Sequence, residues 1–321
     1  MSARILILGA AGMIGRKLTE RLAKDGGLAG QALGAVTLHD IVETKAPALK
    51  ARVVASDLSA PGEAEKLVAD RPDLIFHLAA IVSGEAEADF EKGYRINLDG
   101  TRLLFEAIRK QRNYRPRVVF TSSIAVFGSP FPEAIGDEFL NAPLTSYGTQ
   151  KAIGELLLSD YSRRGFFDGI GIRLPTICVR PGKPNKAASG FFSGILREPL
   201  AGQEAILPVP DTVRHWFASP RAAVEFLLHA AKLDTAQLGA RRNLSMPGIS
   251  ATVAEQIEAL RRVAGDAAAK LIRREPDPVI MRIVEGWPRN FDARRAAALG
   301  FQADASFDEI IRIHVADELK R

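Results

Sequence analysis

The sequence predicts an α/β protein, a doubly wound parallel sheet with helices on both faces. Three observations lead there. Short apolar runs alternate with helical patterns through the first half of the chain. The first run ends in a glycine-rich turn that opens a helix. The runs are continuously apolar, as strands covered on both faces are.

The first strand is Arg4-Ile5-Leu6-Ile7-Leu8, which runs into Gly9-Ala10-Ala11-Gly12-Met13-Ile14-Gly15 and a helical stretch over 16–24. Glycine permits the tight turn and lets amides at a helix N-terminus approach a pyrophosphate. Gly9, Gly12, Met13, Ile14 and Gly15 are therefore candidate dinucleotide contacts. A second strand over 35–39 ends at Asp40, with no arginine immediately after it. A carboxylate there can accept both hydroxyls of an adenosine ribose and repels a 2′-phosphate, favouring NAD over NADP. A plain turn-forming role for Asp40 is the alternative. The third strand, 51–55, is followed by Asp57-Leu58, and Asp57 can also cap the helix expected through 63–69. The fourth, 74–80, carries His77, which in an apolar strand reads as a hydrogen-bonded structural residue. Ser83, just beyond, faces the same crevice and is a substrate-contact candidate.

A long helix opens at Tyr94 and runs to Arg112, with Asn97 near its start. Val118-Val119-Phe120-Thr121-Ser122-Ser123 then reads as a buried strand ending in small hydroxyl residues. A proline-containing loop over 129–144, long enough to cover a site, leads to Tyr147 and Lys151. A helix over 145–161 puts both side chains on one face. A phenol titrates near 10, and bringing it to about 7 takes roughly 4 kcal/mol, which a neighbouring ammonium can supply. Alone, such a pair is as readily a half-buried tyrosine with a snorkelling lysine.

The sixth strand, 169–174, leads into Pro175-Thr176-Ile177, after which the composition shifts towards Pro, Gly and Lys. Arg180, Asn185 and Arg214 are candidates for gripping an anionic group, each equally open to a structural role. Segments 220–231, 251–264 and 307–319 read as amphipathic helices, and 290–301 as a capped helix ended by Gly300.

The 321 residues leave room for one large domain and a smaller lobe. With 47% hydrophobic and 25% charged residues the chain falls among soluble globular proteins. A single cysteine, Cys178, excludes an intrachain disulfide, and no Cys/His cluster has metal-ligand spacing. No apolar run spans a bilayer, and a strand starting at Arg4 leaves no room for a signal peptide, so a cytoplasmic location is expected. The net charge of +5 comes from scattered pairs such as Arg163-Arg164 and Arg241-Arg242 at helical spacing. These are solvated helix faces rather than a nucleic-acid surface.

Gly9-x-x-Gly12-x-x-Gly15, Ser123 and Tyr147-x-x-x-Lys151, arriving in that order, resemble the extended short-chain dehydrogenase/reductase superfamily across nearly the whole chain. The resemblance implies a Rossmann-type domain over 1–175, with 207–243 returning to it. A smaller C-terminal α/β substrate lobe would be formed by 176–206 and 244–321. It implies Tyr147 as general base, Lys151 lowering its pKa and binding the nicotinamide ribose, and Ser123 orienting the reacting oxygen beside Ser122. Asn97 would hold a relay water, or simply be a polar residue on a helix face. Asp57-Leu58 would contact adenine, and Leu78-Ala79-Ala80 would let the dinucleotide lie against a strand end. Pro175 and Ile177 would face the cofactor, and Thr176 the substrate.

Phe127 stands where many relatives have tyrosine. Pro175-Thr176 stands where relatives acting on nucleotide-linked sugars commonly have asparagine, which favours a small, untethered substrate. The branch resembled most oxidises the C2 hydroxyl of a short, D-erythronate-like sugar acid to the 2-keto acid with NAD. A sugar-nucleotide epimerase or dehydratase and a uronate or other polyol-acid dehydrogenase stay open. A non-catalytic dinucleotide-binding regulator is opposed by the complete Ser-Tyr-Lys set. A homodimer through helices near 95–112 and 147–162 is also implied.

Overall fold

A strand covered on both faces has no polar side to show, and Ala3–Leu8 shows none from Ile5 onward. It lies inside a sheet whose order from one edge is Asn243–Ser245, Asp168–Leu174, Arg117–Ser123, Leu74–His77, Ala3–Leu8, Gln31–Asp40 and Ala51–Ala55, all paired in parallel. Gly27–Leu28 folds back antiparallel on Gln31–Asp40 as an eighth, short strand. The computed structural model describes residues 2–28, 30–45, 49–182 and 189–319, and the candidate Asn185 lies outside them. The chain reverses its direction of travel across the sheet between Ala3–Leu8 and Leu74–His77. Doubly wound sheets open a crevice at that point, at the C-terminal ends of the strands.

Helices Met13–Asp25 and Pro220–Lys232 cover one face through Leu18, Leu22, Phe226 and Leu227. Gly100–Lys110 and Ser146–Arg163 cover the other through Leu104, Phe105, Ile108 and Leu158. A further core around Phe192, Phe217, Leu260 and Ile310 joins Gly190–Leu200, Val253–Ala264 and Phe307–His314. Two small sheets accompany it: Thr176–Ile177 with Arg214–Ala218 and Ile249–Thr252, and Ala205–Leu207 with Ile272–Arg274. Ala296 and Phe301, late in the chain, pack into the core of the large sheet. No helix among the described residues is long and apolar enough to cross a membrane.

Several expected elements differ in extent, three of them near the cavity or at the capping of a helix. The long helix after Tyr94 begins as a widened π-helical turn, Tyr94–Asp99, before Gly100–Lys110. That turn holds Asn97, whose amide is drawn to the Ile81 backbone and to Gln150. The helix expected over 290–301 is reduced to Arg294–Ala298, because Phe291 pairs as a β-bridge with Ile135. Ala251 and Thr252 belong to a strand, and Thr252 caps the following helix in a reciprocal box with Glu255.

Two glycines of the first turn are dictated by space. Gly9 has φ +87°, and a Cβ on it would lie 2.7 Å from the Ala79 nitrogen. A Cβ on Gly15 would lie 2.2 Å from the Gly9 carbonyl oxygen. The first helix can thus press against the end of its strand.

The helix Ser146–Arg163 starts at Thr145, whose Oγ1 accepts from the Gly148 amide at 3.1 Å. Further along, the buried Glu155 carboxylate accepts from Ser122 Oγ (2.5 Å), Asn141 Nδ2 (3.0 Å), Arg173 Nε (2.9 Å) and Arg173 Nη2 (2.7 Å). One side chain therefore ties this helix to two strands and to the 129–144 loop. Glu155→Ala leaves the Arg173 cation buried and unpaired, and is expected to lower the unfolding free energy by about 3–5 kcal/mol in urea titrations. Replacing both Glu155 and Arg173 with methionine is expected to lower it less. An equal or greater loss in the double variant would contradict a charge-pairing origin.

Candidate active site

Alternation along Arg117–Ser123 turns Ser122 towards the helix and its neighbour Ser123 the other way. The Ser122 hydroxyl is taken by Glu155. Ser123 Oγ accepts from the Ala125 amide at 3.1 Å and stands close enough to the Tyr147 hydroxyl to lower its pKa. Both line a cavity of about 620 Å³ at the strand ends. The cavity also brings together Ile14, Leu78, Ala80, Ser83, Lys151, Pro175, Thr176, Ile177 and Arg180, segments far apart in sequence.

Burial pushes the Tyr147 phenol above its ordinary value, opposed by the Ser123 hydroxyl and by the charge of Arg180. Lys151 Nζ donates to the Thr121 carbonyl oxygen at 2.8 Å and lies 5.8 Å from the centroid of the Tyr147 ring. Burial lowers the lysine to about 8, with Glu155 pulling it back up. The spacing suggested Lys151 as the cation that acts on the phenol. In this structure the charge of Arg180 also favours the phenolate, and Lys151 stands one helical turn along, tied to Thr121.

Arg180 donates through Nε to the Ile177 carbonyl oxygen (3.1 Å) and through Nη2 to Ser189 Oγ (3.3 Å). No carboxylate among the described residues pairs with it. Arg214 is not brought to this cavity. It bonds to the Ser250 carbonyl oxygen and pairs with Glu255, facing a second cavity beside Glu133 and Arg289. Alternation along Arg214–Ala218 sends His215, rather than Arg214, towards Tyr147. Asn97 is likewise absent from the cavity wall. Its Oδ1 accepts from the Ile81 amide (2.9 Å) and its Nδ2 donates to Gln150 Oε1 (2.8 Å), fastening a loop to a helix.

The dinucleotide candidates gather around the first turn. Asp40 Oδ2 accepts from the Ala11 amide at 2.9 Å and Oδ1 from the Ile41 amide at 2.8 Å, which fixes the carboxylate beside the glycine loop. Gly12 begins the helix without a side-chain cap, and the first turn, starting at Met13, has no acidic residue. Its amide end is open to an anion. The tight turn that Gly9 and Gly15 allow, the open helix end and the nearby carboxylate fit a dinucleotide with a free ribose 2′-hydroxyl. Ala79 backs the turn against Gly9. Asp57 bonds the Ser59 amide (2.9 Å) and hydroxyl (2.6 Å) and pairs with Arg95, while Leu58 is buried.

His215, Arg282 and Trp287, which line the cavity's far wall, were not singled out by the sequence. His215 Nε2 is 2.7 Å from Thr176 Oγ1, its Nδ1 is 2.7 Å from the Pro288 carbonyl oxygen, and its ring stacks on Phe192 at 5.3 Å and 5°. A histidine inside an apolar strand looks like a core residue, and the 278–288 segment carries no motif. His77 is the structural residue expected, buried and 2.9 Å from Thr101 Oγ1. Among the described residues no group of three or more His, Cys, Asp or Glu could hold a metal ion.

Residues 5–236 match the NAD dependent epimerase/dehydratase family. The chain belongs to this family. It is 50% identical over 318 residues to a D-erythronate dehydrogenase of Cupriavidus necator, covering 98% of each chain. It is 42% identical over 311 residues to a D-erythronate dehydrogenase of Haemophilus influenzae, covering 96% of this chain and 98% of that one. A crystal structure described as the nucleoside-diphosphate-sugar epimerase from Agrobacterium tumefaciens is similar at 68% identity and a TM-score of 0.97, covering 99% of this chain and 95% of that one.

Two of the four buried histidines, His77 and His215, give the fold an acid limit. Burial lowers His77 to about 3 and His215 to about 4, from 6.5. Folded, both rings stay neutral through the range in which the unfolded chain takes up their protons. Stability therefore falls as pH drops from 6.5 towards 4, by up to about 1.4 kcal/mol per pH unit for each ring. Urea titrations across that range should show the slope, and His77→Asn should flatten it. An unchanged slope in the variant would remove His77 from the explanation.

Proposed function

We propose that the chain oxidises the C2 hydroxyl of a short sugar acid of the D-erythronate type to the 2-keto acid. NAD-dependent oxidoreduction follows from the family and from the two D-erythronate dehydrogenase relatives. The observation that carries the finer reading is the meeting of Ser123 and Tyr147 in a cavity that also holds Arg180 with no carboxylate partner among the described residues. A hydroxy acid needs a base and an anion grip close together, and Tyr147 and Arg180 would supply them.

The glycine loop with Met13 and Ile14 would hold the pyrophosphate and Asp40 the adenosine ribose. Leu58 would lie by the adenine, Lys151 by the nicotinamide ribose, and Pro175 and Ile177 by the carboxamide. Bound NAD supplies a two-electron acceptor. Ser123 aims the substrate hydroxyl, and Tyr147, as phenolate, takes its proton. Arg180 stabilises that phenolate and attracts the carboxylate. Lys151, cationic below about pH 8, adds a second positive charge from the same helix.

Residues 1–175 and 207–243 form the dinucleotide domain in this reading, and 176–206 and 244–321 the lobe. Leu156, exposed on Ser146–Arg163, suits the homodimer that the superfamily resemblance suggests.

A sugar-nucleotide epimerase is the second reading, favoured by the description of the Agrobacterium tumefaciens structure. An epimerase returns its hydride within each cycle, so bulk NAD is not reduced. D-erythronate with added NAD is expected to give sustained NADH absorbance, and Tyr147→Phe to lower its rate at least about a hundredfold while leaving NAD affinity intact. No NADH with any short sugar acid would reject the substrate reading. Near-normal turnover of the phenylalanine variant would reject Tyr147 as base.

Asp40→Ala is expected to weaken NAD binding and narrow the preference over NADP, measured by titrating both dinucleotides. Unchanged selectivity would take the ribose away from Asp40.

A further inference from the structure

A histidine ring in a cavity wall has to place one proton on one of two nitrogens, and its partners decide which. Nδ1 of His215 lies 2.7 Å from the Pro288 carbonyl oxygen, a group that can only accept. Nδ1 therefore carries the hydrogen. The ring is neutral, because burial holds it at about 4 and the charge of Arg180 acts in the same direction. Nε2 is then bare and can only accept. At 2.7 Å from Thr176 Oγ1, it takes the one hydrogen that the threonine hydroxyl has. Thr176 lines the cavity, and its oxygen has nothing left to offer there except lone pairs.

We propose that Thr176 is a specificity-determining residue that accepts a hydrogen bond from a hydroxyl of the substrate distal to C2. His215 is the positioning residue that fixes Thr176 in this polarity. The inference rests on the sugar-acid reading and deepens it. A carboxylate placed against Thr176 would set acceptor against acceptor, so the acid end of the substrate is turned to Arg180, on the same cavity. Substrate orientation then follows from one tautomer: carboxylate to Arg180, chain hydroxyl to Thr176, reacting hydroxyl to Ser123 and Tyr147.

The relay is held from several sides. The His215 ring lies parallel to Phe192 and packs 5.3 Å from Trp287, the residue before Pro288. Thr176 is paired in register with Phe217 on the strand that carries His215. A flip of the ring would set ring carbons against both Thr176 and the Pro288 carbonyl. Trp287 lines the same cavity, so the segment that fixes the tautomer also walls the substrate.

The test compares kcat/KM for D-erythronate with that for 2-hydroxybutyrate, which keeps C2 and the carboxylate but lacks the other hydroxyls. The wild-type protein is expected to favour the hydroxylated acid at least about tenfold. Thr176→Val should bring the ratio close to one, and Thr176→Ser should keep it. His215→Phe should also collapse the ratio, which does not depend on the fraction of protein that folds. An equal loss on both substrates in Thr176→Val, or an unchanged ratio, overturns the proposal. Nitrogen chemical shifts of His215 decide the tautomer without any substrate. A protonated Nδ1 between about pH 6 and 8 is expected, and a protonated Nε2 overturns the relay. If the wild-type protein reduces NAD with no sugar acid, the substrate reading fails and takes the assigned hydroxyl with it. The nitrogen shifts then still decide whether Thr176 is an acceptor.

Discussion

The Glu155 carboxylate is the tie on which the site depends. A helix laid across a sheet can slide or roll by fractions of an ångström if only apolar contacts hold it, and Tyr147 has to meet Ser123 within hydrogen-bond reach. Glu155 removes that freedom by bonding Ser122, Arg173 and Asn141 at once. The same tie occupies the Ser122 hydroxyl with the carboxylate and leaves that of Ser123 free of it, though both serines line the cavity. Gly154 adds to this closeness, since a Cβ there would lie 2.8 Å from the Phe120 ring.

The dinucleotide side is built by close approach as well. Gly15 allows the first helix to begin against the Gly9 carbonyl, and the uncapped amide end is carried to the point where the sheet reverses. Asp40, at the end of the neighbouring strand, is aligned by the Ala11 amide, so the glycine loop and the carboxylate form one unit. A side chain at Gly9 or Gly15 would push the helix away from the crevice that it serves.

How much of this could be read from the sequence follows from the range of the signals. The parallel strands were legible because burial on both faces leaves continuous apolar runs. That Tyr147, Lys151 and Ser123 would meet in one cavity was legible because their relations are local, one helical turn or one strand end. The assignment of Arg214 failed because a strand shows its periodicity without showing which face meets the site, and the other face proved to carry His215. The role of Asn97 was obscured by a π-helical turn that leaves no simple pattern. Arg282 and Trp287 reach the cavity through tertiary packing of a segment without local marks, so no reading of spacing could have found them. The Phe291–Ile135 bridge shortened the 290–301 helix by the same long-range means.

Two cations and one phenol share the cavity, and their arrangement suggests a division of labour. Burial alone makes the Tyr147 phenolate hard to form, and in the open cavity Arg180 is the charge that favours it. In the proposed reaction an arriving carboxylate would be attracted by that same guanidinium and would cancel part of its field. Lys151 is then the cation left to support the phenolate, and it is tied to Thr121 rather than to substrate. A site with Arg180 alone would lose its hold on the base as it gained its substrate. A site with Lys151 alone would hold the base and have no grip on the acid. In the reaction we propose, having both, on different elements, would let substrate recognition and proton abstraction proceed together.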